Sequence, residues 1–99
     1  MIKHIVAWNY GDGFSDSENR ENAKKIKEGL EALNGVIAGI VEIEVHIDLL
    51  PSGNRDIVLY SVFESMELLD AYQVHPEHRL VSSFIGSVMQ NRVCVDYAI

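Results

Sequence analysis

Asp56-Ile57-Val58-Leu59-Tyr60-Ser61-Val62-Phe63 is the stretch that decides the fold. It is rich in β-branched and aromatic residues and follows the turn-forming run Pro51-Ser52-Gly53-Asn54, so it reads as a strand. Side chains alternate across a strand. Ile57, Leu59 and Phe63 therefore share one face, and Val58, Tyr60 and Val62 share the other. Both faces are apolar, so the sheet that holds this strand needs cover on both sides.

The neighbouring segments build the rest of that sheet. Ile2 to Tyr10 is a second strand, with Ile2, His4, Val6 and Trp8 on one face and Ile5 and Ala7 on the other. Gly11-Asp12-Gly13 breaks it. Ser15-Asp16-Ser17-Glu18 has the capping-box spacing and predicts a helix to about Leu33, with Ala23, Ile26, Leu30 and Leu33 inward. Asn34-Gly35 stops that helix. Val41 to Leu49 alternates apolar residues with Glu42, Glu44, His46 and Asp48, which is a half-exposed strand. Ser65 caps a short helix to Val74. Proline suits the first turn of a helix, so the chain bends at His75-Pro76 and a second helical piece runs to about Met89. Val93 to Tyr97 is the last strand. There are no repeats and no linker, and residues 1–99 read as one domain.

The order β-α-β-β-α-β predicts an α+β ferredoxin-like fold, an antiparallel sheet with its helices on one face. Helices on one face leave the other uncovered. A second copy of the chain is the simplest cover, giving a dimeric α/β barrel.

Composition narrows the function. The net charge of −7 excludes an electrostatic fit to nucleic acid or to an anionic membrane. No apolar run is long enough to span a bilayer. Met1-Ile2-Lys3-His4 has no signal-peptide layout, and Cys94 is a lone cysteine, so a cytoplasmic location is expected. Cys94 reads as a small buried hydrophobe on a central strand.

The groups with usable chemistry concentrate in Tyr72-Gln73-Val74-His75-Pro76-Glu77-His78. His78 falls in the first turn of the second helical piece, where the positive helix end favours a neutral imidazole, the form a general base needs. It shares an inward arc with Val81, Ile85 and Met89. Asp96 comes from a strand beneath that helix and is expected to orient His78. The same pair would equally serve as a structural strut between helix and sheet. Tyr72 either polarises a carbonyl or buries its ring and wets its hydroxyl. His4 either lines a cavity or bonds locally. His75 either contributes to a ligand site or sets the bend. Spacing and order exclude a zinc site at His75 and His78. Glu42, Glu44 and Asp48 fit a hard cation and a solvated face alike. No phosphate loop or nucleotide fingerprint is present, and no cofactor is expected.

Along nearly its whole length the chain resembles the stress-responsive dimeric α/β-barrel (Dabb) family. The resemblance lies in Ile2-Lys3-His4-Ile5-Val6, in Asp56-Ile57-Val58-Leu59 before Phe63-Glu64-Ser65, in Leu69-Asp70-Ala71-Tyr72 followed by His75-Pro76-Glu77-His78, and in Val95-Asp96-Tyr97. It implies a homodimer. One plant member is a polyketide cyclase that works by intramolecular aldol condensation without a cofactor. The positions similar to Tyr72 and His78 there hold the substrate carbonyl and remove a proton, and His4 and Asp96 have counterparts. Related dimeric barrels include cofactor-free monooxygenases. The resemblance thus implies a small apolar or aromatic carbonyl ligand, with His78, Tyr72 and Asp96 as catalytic residues and His4 and His75 as ligand-binding ones. Three classes of function stay open: a cofactor-independent enzyme, a binding module without turnover, and a structural stress protein.

Overall fold

The computed structural model describes residues 1–99. Its elements run β1 (Ile2–Tyr10), α1 (Asp16–Glu31), β2 (Ile40–His46), β3 (Ile57–Phe63), α2 (Met66–Val74), α3 (Pro76–Val88) and β4 (Met89–Ala98). The sheet is antiparallel in the order β2-β3-β1-β4, which is the ferredoxin-like arrangement with its second helix broken in two. β1 lies at the centre because it pairs both β3 and β4, and the two chain ends meet, Ile99 N–H donating to the Met1 carbonyl at 2.9 Å.

Local chemistry sets the element ends. Ser15 Oγ accepts from Glu18 N–H, and Glu18 Oε1 accepts from Ser15 N–H at 2.9 Å, closing the capping box that starts α1. Ser65 Oγ accepts from Leu68 N–H and starts α2. Pro76 opens α3, and His75 is both the last cap of α2 and the first of α3.

One face of the sheet is covered. Val6 and Trp8 of β1, Ile43 and Val45 of β2, and Ile57, Leu59 and Phe63 of β3 meet Ala23, Ile26 and Leu30 of α1, Leu69 of α2 and Ile85 of α3. α1 and α3 lie so close at Gly29 that a Cβ there would sit 3.2 Å from Val81 Cγ1. The other face presents Ile5, Ala7, Val58, Tyr60, Val93, Val95 and Tyr97, with Val62 buried among them and Lys3 reaching across to donate to the Tyr60 hydroxyl at 2.7 Å, and the core cluster of helices and sheet lies wholly on the opposite side. Val93, Val95 and Tyr97 are exposed large apolar groups in a row on β4. No helix is long and apolar enough to cross a membrane.

Four expectations are corrected. β2 ends at His46 rather than Leu49: its last pair with β3 is His46↔Val58, and Ile57, the first residue of β3, pairs only Trp8 of β1. A register shift between Ile40 and Glu42 leaves Val41 exposed instead of inward. β4 starts at Met89, four residues before Val93, since its first residues pair Tyr10 and Asn9. Cys94 is exposed, because β4 is an edge strand and not a central one.

Candidate functional site

A cavity of about 240 Å³ lies between α3 and the sheet. Its floor is buried and comes from β1 and β3, with His4, Val6, Trp8 and Leu59. Its wall is α3, which contributes His78, Ser82 and Ile85. Gln73, Asn91 and Arg92 form an exposed rim.

The two histidines of the cavity are held by different partners. His78 Nδ1 lies 3.2 Å from the Gln73 carbonyl. A carbonyl only accepts, so Nδ1 carries the proton and Nε2 keeps its lone pair. Burial lowers the His78 pKa, and the charges of His4, Arg92 and His75 push the same way against the Gln73 hydrogen bond. The neutral ring expected from sequence is thus favoured, but burial is the leading cause rather than the helix end. His4 is 3 % exposed, and its Nδ1 lies 2.5 Å from Asp96 Oδ1. The carboxylate accepts the Nδ1 proton and leaves Nε2 of His4 free. Ser61 Oγ donates to the His4 carbonyl at 2.7 Å and fixes the backbone below.

Tyr72 joins these rings. Its centroid is 4.2 Å from that of His78, 4.8 Å from that of Phe63 and 6.5 Å from that of His4. Tyr72 is 0 % exposed and stands behind the cavity wall, and its hydroxyl makes no hydrogen bond to the protein. Burial pushes its pKa far up, so the phenol keeps its proton and remains a donor.

His4, Tyr72 and His78 are therefore brought together as the sequence predicts. Two expectations are not met. Asp96 bonds His4, its cross-strand partner in the β1–β4 register, and not His78. His75 does not border the cavity, because its Nδ1 is spent accepting Glu77 N–H at 3.1 Å as the cap of α3. His46 is exposed and bonds Glu44, and Asp48 pairs with Arg20. Gln73, Ser82, Asn91 and Arg92 border the cavity without having been singled out. Only the helical spacing of Ser82 from His78 signalled any of them.

His4, Cys94 and Asp96 place ligand atoms within 4.8 Å of one another and could hold a metal ion. That set would use the same Nδ1 that now binds Asp96, and burial together with Asp96 raises the pKa of the Cys94 thiol, disfavouring thiolate. The arrangement suits proton transfer better: two imidazoles with free nitrogens border one small space, and a protonated phenol packs behind one of them.

A ferredoxin-like α+β domain with a pocket between its helices and its sheet defines the class. The chain belongs to the stress-responsive A/B barrel domain (Dabb) family, whose profile matches residues 2–99. It is similar to a dimeric protein of unknown function from Bacteroides fragilis, with 33% identity over 99% of this chain and 95% of that one and a TM-score of 0.91. It is also similar to a dimeric ferredoxin-like protein of unknown function from Thermobifida fusca, at 25% identity over 99% and 90% of the two chains, TM-score 0.83. A hydroxynitrile lyase from Passiflora edulis shares the fold, at 17% identity over 99% and 92%, TM-score 0.80. No curated protein matches the chain.

Proposed function

We propose that this Dabb-family protein is a homodimer that binds a small carbonyl compound between helices and sheet and moves a proton on it without a cofactor. The observation that carries the reading is the cavity itself, which runs from an exposed rim to His4 on its floor and has His78 in its wall.

In this reading His78 Nε2 removes a proton next to the carbonyl. The His4–Asp96 pair on the cavity floor faces the carbonyl oxygen as it gains charge, and the buried Tyr72 ring packs behind His78 and holds it in place. The cavity is smaller than the roughly 300–1,000 Å³ of drug-sized ligand sites. A compact aromatic or branched carbonyl compound suits it better than a long polyketide. The fold also hosts a hydroxynitrile lyase, which shows the range the architecture supports, while the residues above carry the reading. The dimer is supported by the uncovered apolar sheet face and by the dimeric relatives.

Gly86 provides the test. It borders the cavity, and a Cβ added there meets no atom within 4 Å. Gly86→Leu raises helix propensity in α3 by about 1 kcal/mol while filling the space. Phenylacetaldehyde and acetophenone, which carry C–H bonds next to the carbonyl, are titrated into both proteins and followed by protein NMR, then assayed for hydrogen exchange at that position. Binding and exchange by the wild type, lost in a folded Gly86→Leu, support the proposal. Ligands that bind both proteins alike would refute it.

A further inference from the structure

The strand that closes one end of the cavity is irregular where it meets it. β1 and β4 pair from Ile2↔Ala98 to Ala7↔Val93 and again at Asn9↔Gln90 and Tyr10↔Met89. Between those runs β1 supplies only Trp8, whereas β4 supplies Asn91 and Arg92. Two residues opposite one make a β-bulge, a device that re-aims side chains and is enriched beside active sites. Asn91 has φ 55°, the left-handed region, and is the one non-glycine residue of the chain that does. Such a conformation persists where the surroundings hold it. Arg55 Nε donates to the Asn91 carbonyl at 3.1 Å, Asn91 Nδ2 donates to Asn9 Oδ1 at 3.1 Å, and Gln90 Nε2 donates to the Tyr10 carbonyl at 3.0 Å.

The neighbouring side chains are thus committed to holding the bulge, whereas Arg92, beside the Cys94 thiol, makes no bond that holds it. It borders the same cavity as His4 and His78. The chain has 15 acidic residues, yet none forms an ion pair with this guanidinium. Its charge is felt inward: burial lowers His78 and Arg92 adds to that, while Arg92 opposes the rise that burial imposes on Cys94. A guanidinium presents a planar fork that matches a carboxylate in bidentate fashion.

We propose that Arg92 is the anion-binding residue of the cavity, and that the ligand is a small carbonyl compound bearing a carboxylate, held by the guanidinium with its carbonyl toward His78 and His4. This rests on the small-carbonyl reading of the cavity and narrows its ligand to a 2-oxo acid or a close analogue. The cation also stabilises negative charge that develops on the ligand when a proton is removed.

The experiment is calorimetric titration of phenylpyruvate and of its neutral methyl ester into the wild type, Arg92→Gln and Arg92→Lys. The wild type is expected to prefer the acid by about tenfold or more at low salt, and the preference is expected to shrink as salt rises. Arg92→Gln is expected to bind both compounds alike while keeping the wild-type affinity for the ester. Arg92→Lys is expected to restore part of the preference. Arg92 is exposed, so folded variants are expected, and far-UV circular dichroism checks this. Equal binding of acid and ester by the wild type, or a preference that survives in Arg92→Gln, overturns the assignment and leaves the small-carbonyl reading standing. Failure of both compounds to bind the wild type overturns both.

Discussion

Burial and hydrogen bonding at His78 act on one proton. The ring is half-buried in the cavity wall, which pushes its pKa below the ordinary imidazole value of about 6.5. A depressed pKa means that the folded state binds the proton less readily than the unfolded chain. The contribution to stability is therefore in place above about pH 6.5 and is lost as pH falls through the folded value. Activity that needs the neutral base falls through the same window, so the acidic limb of kcat/KM is expected below 6.5. A limb at or above 6.5 would remove His78 from the role of base. His78→Ala is expected to lose about a hundredfold or more in rate in a folded protein. Tyr72 makes the opposite demand on stability. Its buried hydroxyl has no protein partner, and leaving such a group unsatisfied costs about 1–3 kcal/mol. Tyr72→Phe keeps the ring against Phe63 and His78 and removes that cost. It is expected to melt at or above the wild-type temperature. A variant that melts lower would mean that the hydroxyl has a partner that serves the fold.

At the level of the elements, α1 and α2 are tied to the sheet by polar and steric devices as well as by the core. Val45 lies on β2, an edge strand. Its N–H donates to Glu31 Oε2 at 2.9 Å and its carbonyl accepts from Lys27 Nζ at 2.7 Å. Burial works to raise the Glu31 pKa, but Lys27 and the Val45 N–H outweigh it and hold the carboxyl low. The same two contacts occupy backbone that an edge strand would otherwise offer to another chain. Gly39 is the steric device. It has φ 95°, and a Cβ there would lie 2.5 Å from Leu68 Cβ. Gly39→Ala combines left-handed strain with a clash between α2 and the start of β2, so it is expected to lower stability by about 1–3 kcal/mol or more in urea unfolding. Leu68→Ala leaves that Cβ in place, so the double variant is expected to recover only part of the loss. Full recovery would assign the whole effect to the distal leucine atoms and none to the backbone. This tie between Gly39 and Leu68 was invisible in the sequence, since it joins residues far apart in the chain. The elements themselves were legible because periodicity records burial: Ile57 to Phe63, Ser15 with Glu18, and the break at His75-Pro76 all fall where the pattern put them. His4, Tyr72 and His78 were legible as a group for the same reason, each lying on an inward face. The partner of Asp96 was not, because which histidine a strand carboxylate reaches depends on the β1–β4 register, and the strand pattern alone is silent on that. The bulge that carries Asn91 and Arg92 was hidden likewise, since one extra residue in a strand changes no composition.

For the whole molecule the open face of the sheet sets the assembly. Only 20 of 99 residues are buried within the single chain, so much of its apolar content lies outside the core. Ile5, Ala7 and Val58 at the centre and Val93 and Val95 on β4 make one apolar patch, bordered by Lys3 where it reaches Tyr60. Contiguous apolar surface of this kind marks an interaction site. A two-fold axis through it would bury the same patch on each copy, so a single substitution enters the interface twice. Val95 is the informative position because it is 56 % exposed in one chain, pairs across from Ile5, and touches nothing in the core beneath. Val95→Asp therefore leaves the folded chain intact. In a dimer it would bury two carboxylates without partners, a cost of several kcal/mol. Light scattering at micromolar concentration is expected to give twice the chain mass for the wild type and the single-chain mass for Val95→Asp, with an unchanged far-UV circular dichroism spectrum. A wild type that is already monomeric would leave the apolar face without an explanation. A Val95→Asp protein that stays dimeric would place the interface away from β4.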